Sequence, residues 1–186
     1  MKKVLKVLTL CLILTIAVPF TNSNAQLFDK GDVVLSAGFG LGTSYYVGAS
    51  SIAMPTIFIS GDYCLREDLG PGNLGVGAIM AYGSVKEDFY FLSNYDYRVN
   101  SFIIGARGTY HFTDLVDQLD LYGGITLGGE IQSIKADDDI VDVDPESGVV
   151  GEFFAGARYY FTDDLSAMAE LGVGITYIKL GISFKL

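Results

Sequence analysis

The sequence has little of several features that stabilise or anchor a chain. In 186 residues it has no tryptophan, four prolines, two cysteines and one histidine. Its only long apolar run lies within the first 25 residues. The rest of the chain therefore lacks a candidate transmembrane helix, because such a helix needs about 20 consecutive apolar residues. Only one cysteine follows that run, so the remaining chain cannot contain an internal disulfide framework.

The N-terminal run has the three parts of a secretory signal peptide. Three lysines lie within the first six residues, residues 7–18 are almost purely apolar, and small residues precede a cleavage site after Ala25. The apolar part is shorter than a membrane span, which favours cleavage over a retained helix. We therefore predict a signal peptide over residues 1–25 and one mature domain over residues 26–186.

Basic residues are scarce in the predicted mature chain. Three of the twelve lysines and arginines belong to the signal peptide, which leaves nine basic residues against 22 acidic ones. Nucleic acid is therefore disfavoured as a partner, because binding to phosphates depends on a basic surface.

What the mature chain does contain is alternation of apolar and polar side chains with a period of two, which indicates β-strands. In the last residues, Leu180, Ile182, Phe184 and Leu186 share one face. Turn-like or acidic stretches separate about eight such segments. The predicted strands lie near residues 33–41, 56–64, 74–83, 102–112, 119–132, 152–161, 165–173 and 179–186.

The two faces of these strands differ in composition. One face is nearly free of charge, and the other carries glycines, small polar residues and several charges. Small residues suit the lumen of a narrow barrel, and an apolar face suits contact with lipid, so we predict that the charged face points inward. The predicted lumenal charge network consists of Arg107, Glu130, Glu152, Arg158 and Glu170. Within it, Arg158 and Glu170 lie on adjacent strands and could pair, since buried charges need partners.

Eight strands of this length can cross a bilayer, provided that the sheet closes and leaves no backbone group unpaired. The connections between them alternate in length. Short ones near residues 65–72, 113–118 and 162–164 alternate with longer ones near 43–51, 84–96 and 136–148. Short periplasmic turns and longer outer loops are typical of outer-membrane barrels. We predict an all-β, eight-stranded, antiparallel up-and-down transmembrane β-barrel in the cell outer membrane, monomeric, with both termini in the periplasm.

The end of the chain resembles the assembly signal of outer-membrane β-barrels. Lys179, Gly181, Phe184 and Leu186 match its polar residue, its glycine and its two spaced apolar or aromatic residues, although the usual last residue is Phe. The mature chain is similar to the small porin-family, or outer-membrane β-barrel domain, proteins of Gram-negative envelopes. Two Gly-Ala-Arg segments followed by Tyr-x-Phe-Thr-Asp, and the ending Leu-Gly-Ile-Ser-Phe, carry this likeness. The resemblance implies contact with outer-membrane lipid and insertion by the outer-membrane assembly machinery, but no single biochemical activity.

One of the longer predicted loops is strongly acidic. Carboxylate oxygens can bind a divalent cation, but the spacing lacks the central glycine of a calcium-binding loop. We predict a solvated loop, with weak calcium binding or recognition of a basic partner as the alternative. Its acidic residues are Asp137, Asp138, Asp139, Asp142, Asp144 and Glu146.

No pattern indicates catalysis or a cofactor. The single histidine, His111, has no suggestive spacing to a nucleophile and an acid, so we predict a non-catalytic residue at the barrel rim. Cys64 is predicted to be buried or lumenal. The leading hypothesis is a non-enzymatic outer-membrane protein with a structural or surface-interaction role. The alternatives are a narrow channel for small solutes and a secreted, lipocalin-like carrier of an apolar ligand, which needs the apolar residues inside.

Overall fold

The computed structural model describes residues 27–42, 50–88, 96–136 and 147–186. The predicted signal peptide and the predicted acidic loop lie outside these residues. The described residues contain eight β-strands. They are β1 (Val33–Leu41), β2 (Ser50–Arg66), β3 (Asn73–Asp88), β4 (Asp96–Val116), β5 (Leu119–Ala136), β6 (Ser147–Tyr160), β7 (Leu165–Val173) and β8 (Ile178–Lys185).

Within the described part of the chain, no helix is long and apolar enough to cross a membrane.

The strands form one closed antiparallel barrel, in which each strand pairs with the next along the chain and β8 pairs with β1. The seam between β1 and β8 extends from the Val34–Lys185 pair to the Leu41–Ile178 pair. Inside the barrel, the Ser36 and Ser183 hydroxyls hydrogen-bond across this seam at 2.8 Å. The predicted fold class, an eight-stranded antiparallel up-and-down barrel, is confirmed.

The orientation of the side chains also agrees with the prediction. Ile125 and Leu127 point outward and are 46% and 62% exposed, whereas Arg158 and Glu170 are buried in the interior. The exposed large apolar side chains come from all eight strands, so the outer surface is apolar around the barrel. Such a surface suits contact with hydrocarbon, as in transmembrane barrels.

Five neighbouring strands, β2–β6, are longer than the sequence pattern predicts. The bounds of β1 and β7 agree with the prediction, but β3 and β4 continue until Asp88 pairs with Asp96. By contrast, the pairing of β1 with β2 ends at Gly40 and Thr56. We call the parts of β2–β5 beyond that level (residues 50–55, 83–88, 96–100 and 132–136) the extended sheet. The predicted connections include only residues 50–51, 84–88, 96 and 136 of the extended sheet, and its other residues lie at the ends of predicted strands or between a predicted strand and a connection.

At the end of the barrel that contains Leu27 and Leu186, here called the terminal end, all three connections between strands are short, and one further short connection, residues 174–177 between β7 and β8, lies at the opposite end. β4 and β5 are joined by two residues, of which Gln118 has a positive φ of 64°. At the connection of β6 to β7, the Thr162 hydroxyl accepts a hydrogen bond from the Leu165 amide at 3.0 Å. The connections at the opposite end include residues 43–49, 89–95 and 137–146, which are outside the described ranges.

Candidate functional site: the charged barrel interior

Two arginines occupy the centre of the barrel interior and share one carboxylate. Arg107 Nε lies 3.1 Å from Asp62 Oδ1, and Arg158 Nη2 lies 2.5 Å from Asp62 Oδ2. Arg107 Nη2 also contacts Glu170 Oε1 at 2.7 Å, and Arg158 Nη1 lies 3.4 Å from Asp120 Oδ2. These contacts connect β2, β4, β5, β6 and β7 across the lumen.

A lysine from the last strand extends the same set of contacts. Lys179 Nζ lies 2.5 Å from Glu152 Oε1 and 3.2 Å from Glu170 Oε2. The side chains in these ion pairs are at most 2% exposed. Charges that are withdrawn from water are stable only when other groups compensate them, which this arrangement provides. The interior ion-pair network consists of Asp62, Arg107, Asp120, Glu152, Arg158, Glu170 and Lys179.

Aromatic rings also compensate the buried positive charges of the two arginines. The Arg107 guanidinium lies 4.3 Å from the centre of the Phe154 ring, and the Arg158 guanidinium lies 4.4 Å from that of Tyr122. The Tyr122 hydroxyl donates a hydrogen bond to Glu170 at 3.0 Å. A cation over a ring face is favourable, more so when the pair is removed from water.

His111 lies near the terminal end of β4, as predicted, but its side chain is fully buried inside the barrel and does not belong to the rim. Its Nδ1 lies 2.9 Å and 3.0 Å from the two carboxylate oxygens of Asp120, and its Nε2 lies 3.0 Å from the hydroxyl of Thr109. The order hydroxyl, imidazole, carboxylate is that of an activated nucleophile. All three side chains are buried, however, and Asp120 is also held by Arg158, so this arrangement leaves a substrate no path to them.

The predicted network residues have different positions in this arrangement. Arg107, Glu152, Arg158 and Glu170 all belong to the interior ion-pair network. Glu130 is buried in the interior, but none of the ion pairs among the described residues includes it.

The suggested pairing of Arg158 with Glu170 is replaced by other partners. In the β6–β7 register, Arg158 lies opposite Met168 and Glu170 lies opposite Gly156, so the two residues are offset by two positions. Such a diagonal separation is about 7–8 Å between neighbouring strands. Both side chains instead extend across the lumen, where Arg158 reaches Asp62 and Glu170 reaches Arg107.

Three members of the network were not predicted as lumenal charges: Asp62, Asp120 and Lys179. The signal for them was present in the alternation of the strands. Asp62 follows Ser60 by two positions, and Asp120 precedes Tyr122 by two, so both share the parity of an inward face. Lys179 was predicted only as part of the assembly signal.

The structure divides the four residues of the predicted assembly signal between two faces. Lys179 points inward into the network and Gly181 lies at the β1–β8 seam, whereas Phe184 and Leu186 are exposed on the outside. The outward pair is therefore available for recognition, while Lys179 and Gly181 also have packing roles. Recognition by the assembly machinery stays a prediction.

Replacement of Phe184 by alanine tests recognition by the assembly machinery separately from the stability of the folded barrel. We expect the yield of folded barrel in cells to decrease, while refolding of the purified variant into detergent micelles stays close to that of the unchanged chain. The reason is that Phe184 lies on the outer surface, where it is 47% exposed, and not in the interior that holds the barrel's ion pairs. Heat-modifiable gel mobility measures both quantities, and Phe39→Ala, another exposed position, is the matched control. Equal losses in cells and in micelles would contradict a role in recognition.

Metal binding receives no support from the described residues, which contain no group of three or more potential ligands. The six acidic residues between Asp137 and Glu146, which were the candidate cation site, lie outside the described ranges. Calcium binding there stays a hypothesis from the sequence.

No protein-family model matches the sequence, and no curated protein matches it. Three solved structures are similar in fold. The outer membrane protein OprG of Pseudomonas aeruginosa aligns with a TM-score of 0.60 and 12% identity, over 87% of this chain and 98% of that chain. The N-terminal β-barrel domain of OprF from the same organism aligns with a TM-score of 0.51 and 18% identity, over 84% of this chain and 98% of that chain.

The third structure is Ail, the attachment invasion locus protein of Yersinia pestis, in complex with the heparin analogue sucrose octasulfate. It aligns with a TM-score of 0.51 and 12% identity, over 85% of this chain and 100% of that chain. At such identities the likeness concerns the fold and not the activity. The alignments cover nearly the whole length of all three barrels, as the closed topology and the apolar exterior lead one to expect. The chain has the fold of the eight-stranded outer-membrane β-barrels.

Proposed function

We propose that the protein is a non-enzymatic, non-conducting barrel of the outer membrane, which presents its extended sheet for interaction at the cell surface. In this proposal the terminal end faces the periplasm, because short turns are typical of that side. The protein is inserted as a monomer by the outer-membrane assembly machinery. The observation that carries the proposal is the filled interior.

Side chains joined by ion pairs and hydrogen bonds fill the interior, whereas the interior of a channel is filled with water. A water-filled lumen leaves the polar groups along it accessible, whereas the interior ion-pair network is almost wholly buried. Towards the opposite end, an apolar cluster occupies the interior and includes Val150 near the start of β6 and Ile175 in the β7–β8 connection. An eight-stranded barrel is about wide enough for its own side chains and little else.

The same interior argues against a carrier of an apolar ligand. A lipocalin-like carrier needs an apolar cavity, but the centre of this barrel is occupied by Arg107, Arg158 and their carboxylate partners. Large apolar side chains such as Ile125 and Leu127 lie on the outside instead.

The extended sheet supports the surface-interaction part of the proposal. It continues β2–β5 past the level at which the seam strands end, and the predicted acidic loop follows directly after β5. Ail was solved with a sulfated sugar analogue. The six acidic residues in this chain's loop repel such a polyanion, so the proposed partner has a basic surface.

Conductance in a planar bilayer tests the proposal. We expect the purified, folded barrel to leave the bilayer silent, because its buried ion pairs leave no path for water. The control is the same preparation after heat unfolding, which reports leakage caused by detergent or aggregates alone. Reproducible unit conductance steps from the folded barrel, absent from the control, would contradict the proposal and favour the narrow channel.

A further inference from the structure

The segment that precedes β1 enters the barrel at the terminal end. We call residues 27–32 the N-terminal plug. Leu27 is only 5% exposed and Phe28 is 0% exposed, although neither belongs to a strand. A phenyl ring that is wholly buried outside the strand ladder requires a pocket formed by the barrel interior.

The pocket for Phe28 is formed by groups next to the interior ion-pair network. Its ring stacks on His111, with the ring centres 3.9 Å apart, and packs in a cluster with Val34 and Cys64. Gly75 provides space, since a Cβ at that position lies 3.1 Å from Cε1 of the Phe28 ring. The ring therefore covers the His111–Asp120 pair from the terminal end.

Main-chain hydrogen bonds hold the plug against the barrel. The Phe28 carbonyl accepts one from the Asn73 side chain at 2.7 Å. The Gly31 amide donates to the Cys64 carbonyl at 3.2 Å, and the Cys64 amide donates to the Asp32 carbonyl at 2.9 Å. Gly31 has a φ of 98°, a conformation that favours glycine, so this turn depends on it.

We propose that the N-terminal plug is a lid that closes the terminal mouth of the barrel, with Phe28 as the group that separates the interior from solvent. Because the plug lies outside the ladder that closes the barrel, it can open by local unfolding while the eight strands stay paired. Closure keeps water from the His111–Asp120 pair and the arginines beyond it, where a low dielectric strengthens their ion pairs. The proposal goes beyond the proposed function, since it concerns access at one end and not conduction through the barrel.

The buried thiol of Cys64 provides a reporter of the lid. Its sulfur lies 3.6 Å from the Phe28 carbonyl oxygen, directly under the plug. The test is the rate of Cys64 modification by a small, water-soluble maleimide in the folded barrel, with peptide mapping to distinguish Cys64 from Cys11. We expect slow modification in the unchanged chain. With Phe28→Ala we expect a rate higher by about tenfold or more, the factor that corresponds to ~1.4 kcal/mol.

Two further variants make the result specific. Phe39→Ala makes the same change on the lipid-facing side of β1, and it is expected to leave the Cys64 rate unchanged. Gly31→Ala introduces a Cβ that meets no atom within 4 Å but strains the positive φ, so it is expected to loosen the plug while the ring itself is kept. If Phe28→Ala does not show the gel mobility of the folded barrel, it has failed to fold. The rate of Cys64 modification in Gly31→Ala then tests the lid.

Three outcomes would overturn the proposal. They are rapid modification of Cys64 in the unchanged barrel, protection of Cys64 in both plug variants, and equal acceleration by Phe39→Ala.

Conductance of the same samples keeps this test apart from that of the proposed function. The interior ion-pair network remains in Phe28→Ala. That variant is therefore expected to show faster modification of Cys64 but no conductance in the bilayer. Conductance of the unchanged chain would contradict the proposed function and leave the lid intact.

Discussion

Replacement of Arg158 by leucine is expected to lower the free energy of unfolding of the barrel by about 3–5 kcal/mol, the usual loss when one partner of a buried ion pair is removed. Arg158 is fully buried and compensates two carboxylates, those of Asp62 and Asp120. Its removal leaves Asp62 with Arg107 alone and leaves Asp120 with His111. Neither carboxylate can turn to water instead, because both are enclosed by the barrel wall.

The measurement is equilibrium unfolding by urea of the barrel in detergent micelles, followed by gel mobility and by circular dichroism. Arg66→Leu is the matched control, because Arg66 is exposed near the terminal end. A surface change of this kind is expected to alter the free energy of unfolding by less than about 0.5 kcal/mol. Equal effects of the two substitutions would contradict a structural role of the network.

A second variant separates lost charge compensation from lost packing. Combining Arg158→Leu with Asp120→Asn removes one of the two carboxylates that the first change leaves without its arginine. Part of the stability is therefore expected to return, since residues in one network do not contribute additively. If the double variant is less stable than Arg158→Leu by the full cost of Asp120→Asn alone, the two side chains are not coupled.

Replacement of Gly38 by valine is expected to prevent closure of the barrel. Gly38 on β1 pairs with Gly181 on β8 at the seam. A Cβ on Gly38 lies 2.6 Å from the Gly181 Cα and closer still to the Leu180 carbonyl oxygen, so the added side chain meets main-chain atoms. Overpacking costs about 1–3 kcal/mol when neighbouring side chains can move. Here only a shift of the paired strands makes room, and that shift breaks the seam.

The expected result is loss of the folded, heat-modifiable band after refolding into detergent micelles. Gly148→Val is the matched control, because a Cβ at Gly148 on β6 has no atom within 4 Å. That variant is expected to give the same yield of folded barrel as the unchanged chain. A folded band of normal yield from Gly38→Val would mean that the seam strands can separate more than the structure indicates.

The class of fold was predictable because its signal is local. In a strand, alternate side chains point to opposite faces, so the sequence around Arg158 or Leu127 already indicates which side each residue occupies. The glycines on the charged face indicated a narrow lumen. The same rule located the ends of β1 and β7, where the apolar alternation stops at the end of the strand. It failed for β3 and β4, because strands outside the hydrocarbon layer need no apolar face.

The pairing of charges was not predictable in the same way. Asp62 and Arg158 are 96 positions apart in the chain and lie on β2 and β6, which are not neighbours in the barrel. Which carboxylate an arginine reaches across the lumen depends on the register of all the intervening strands and on closure at β1 and β8. The local pattern suggested the opposite charge on the adjacent strand, Glu170, whereas the partners of Arg158 in the structure are Asp62 and Asp120.

The sequence by itself determined the number of strands, the inward direction of Arg107, Arg158 and Glu170 and the apolar character of the outer surface, because these follow from alternation along single segments. Only the tertiary structure decided which charges meet and that His111 and Phe28 are enclosed and stacked on each other. Those contacts join residues from different strands or from outside any strand, and their distances are fixed only when the sheet closes on itself.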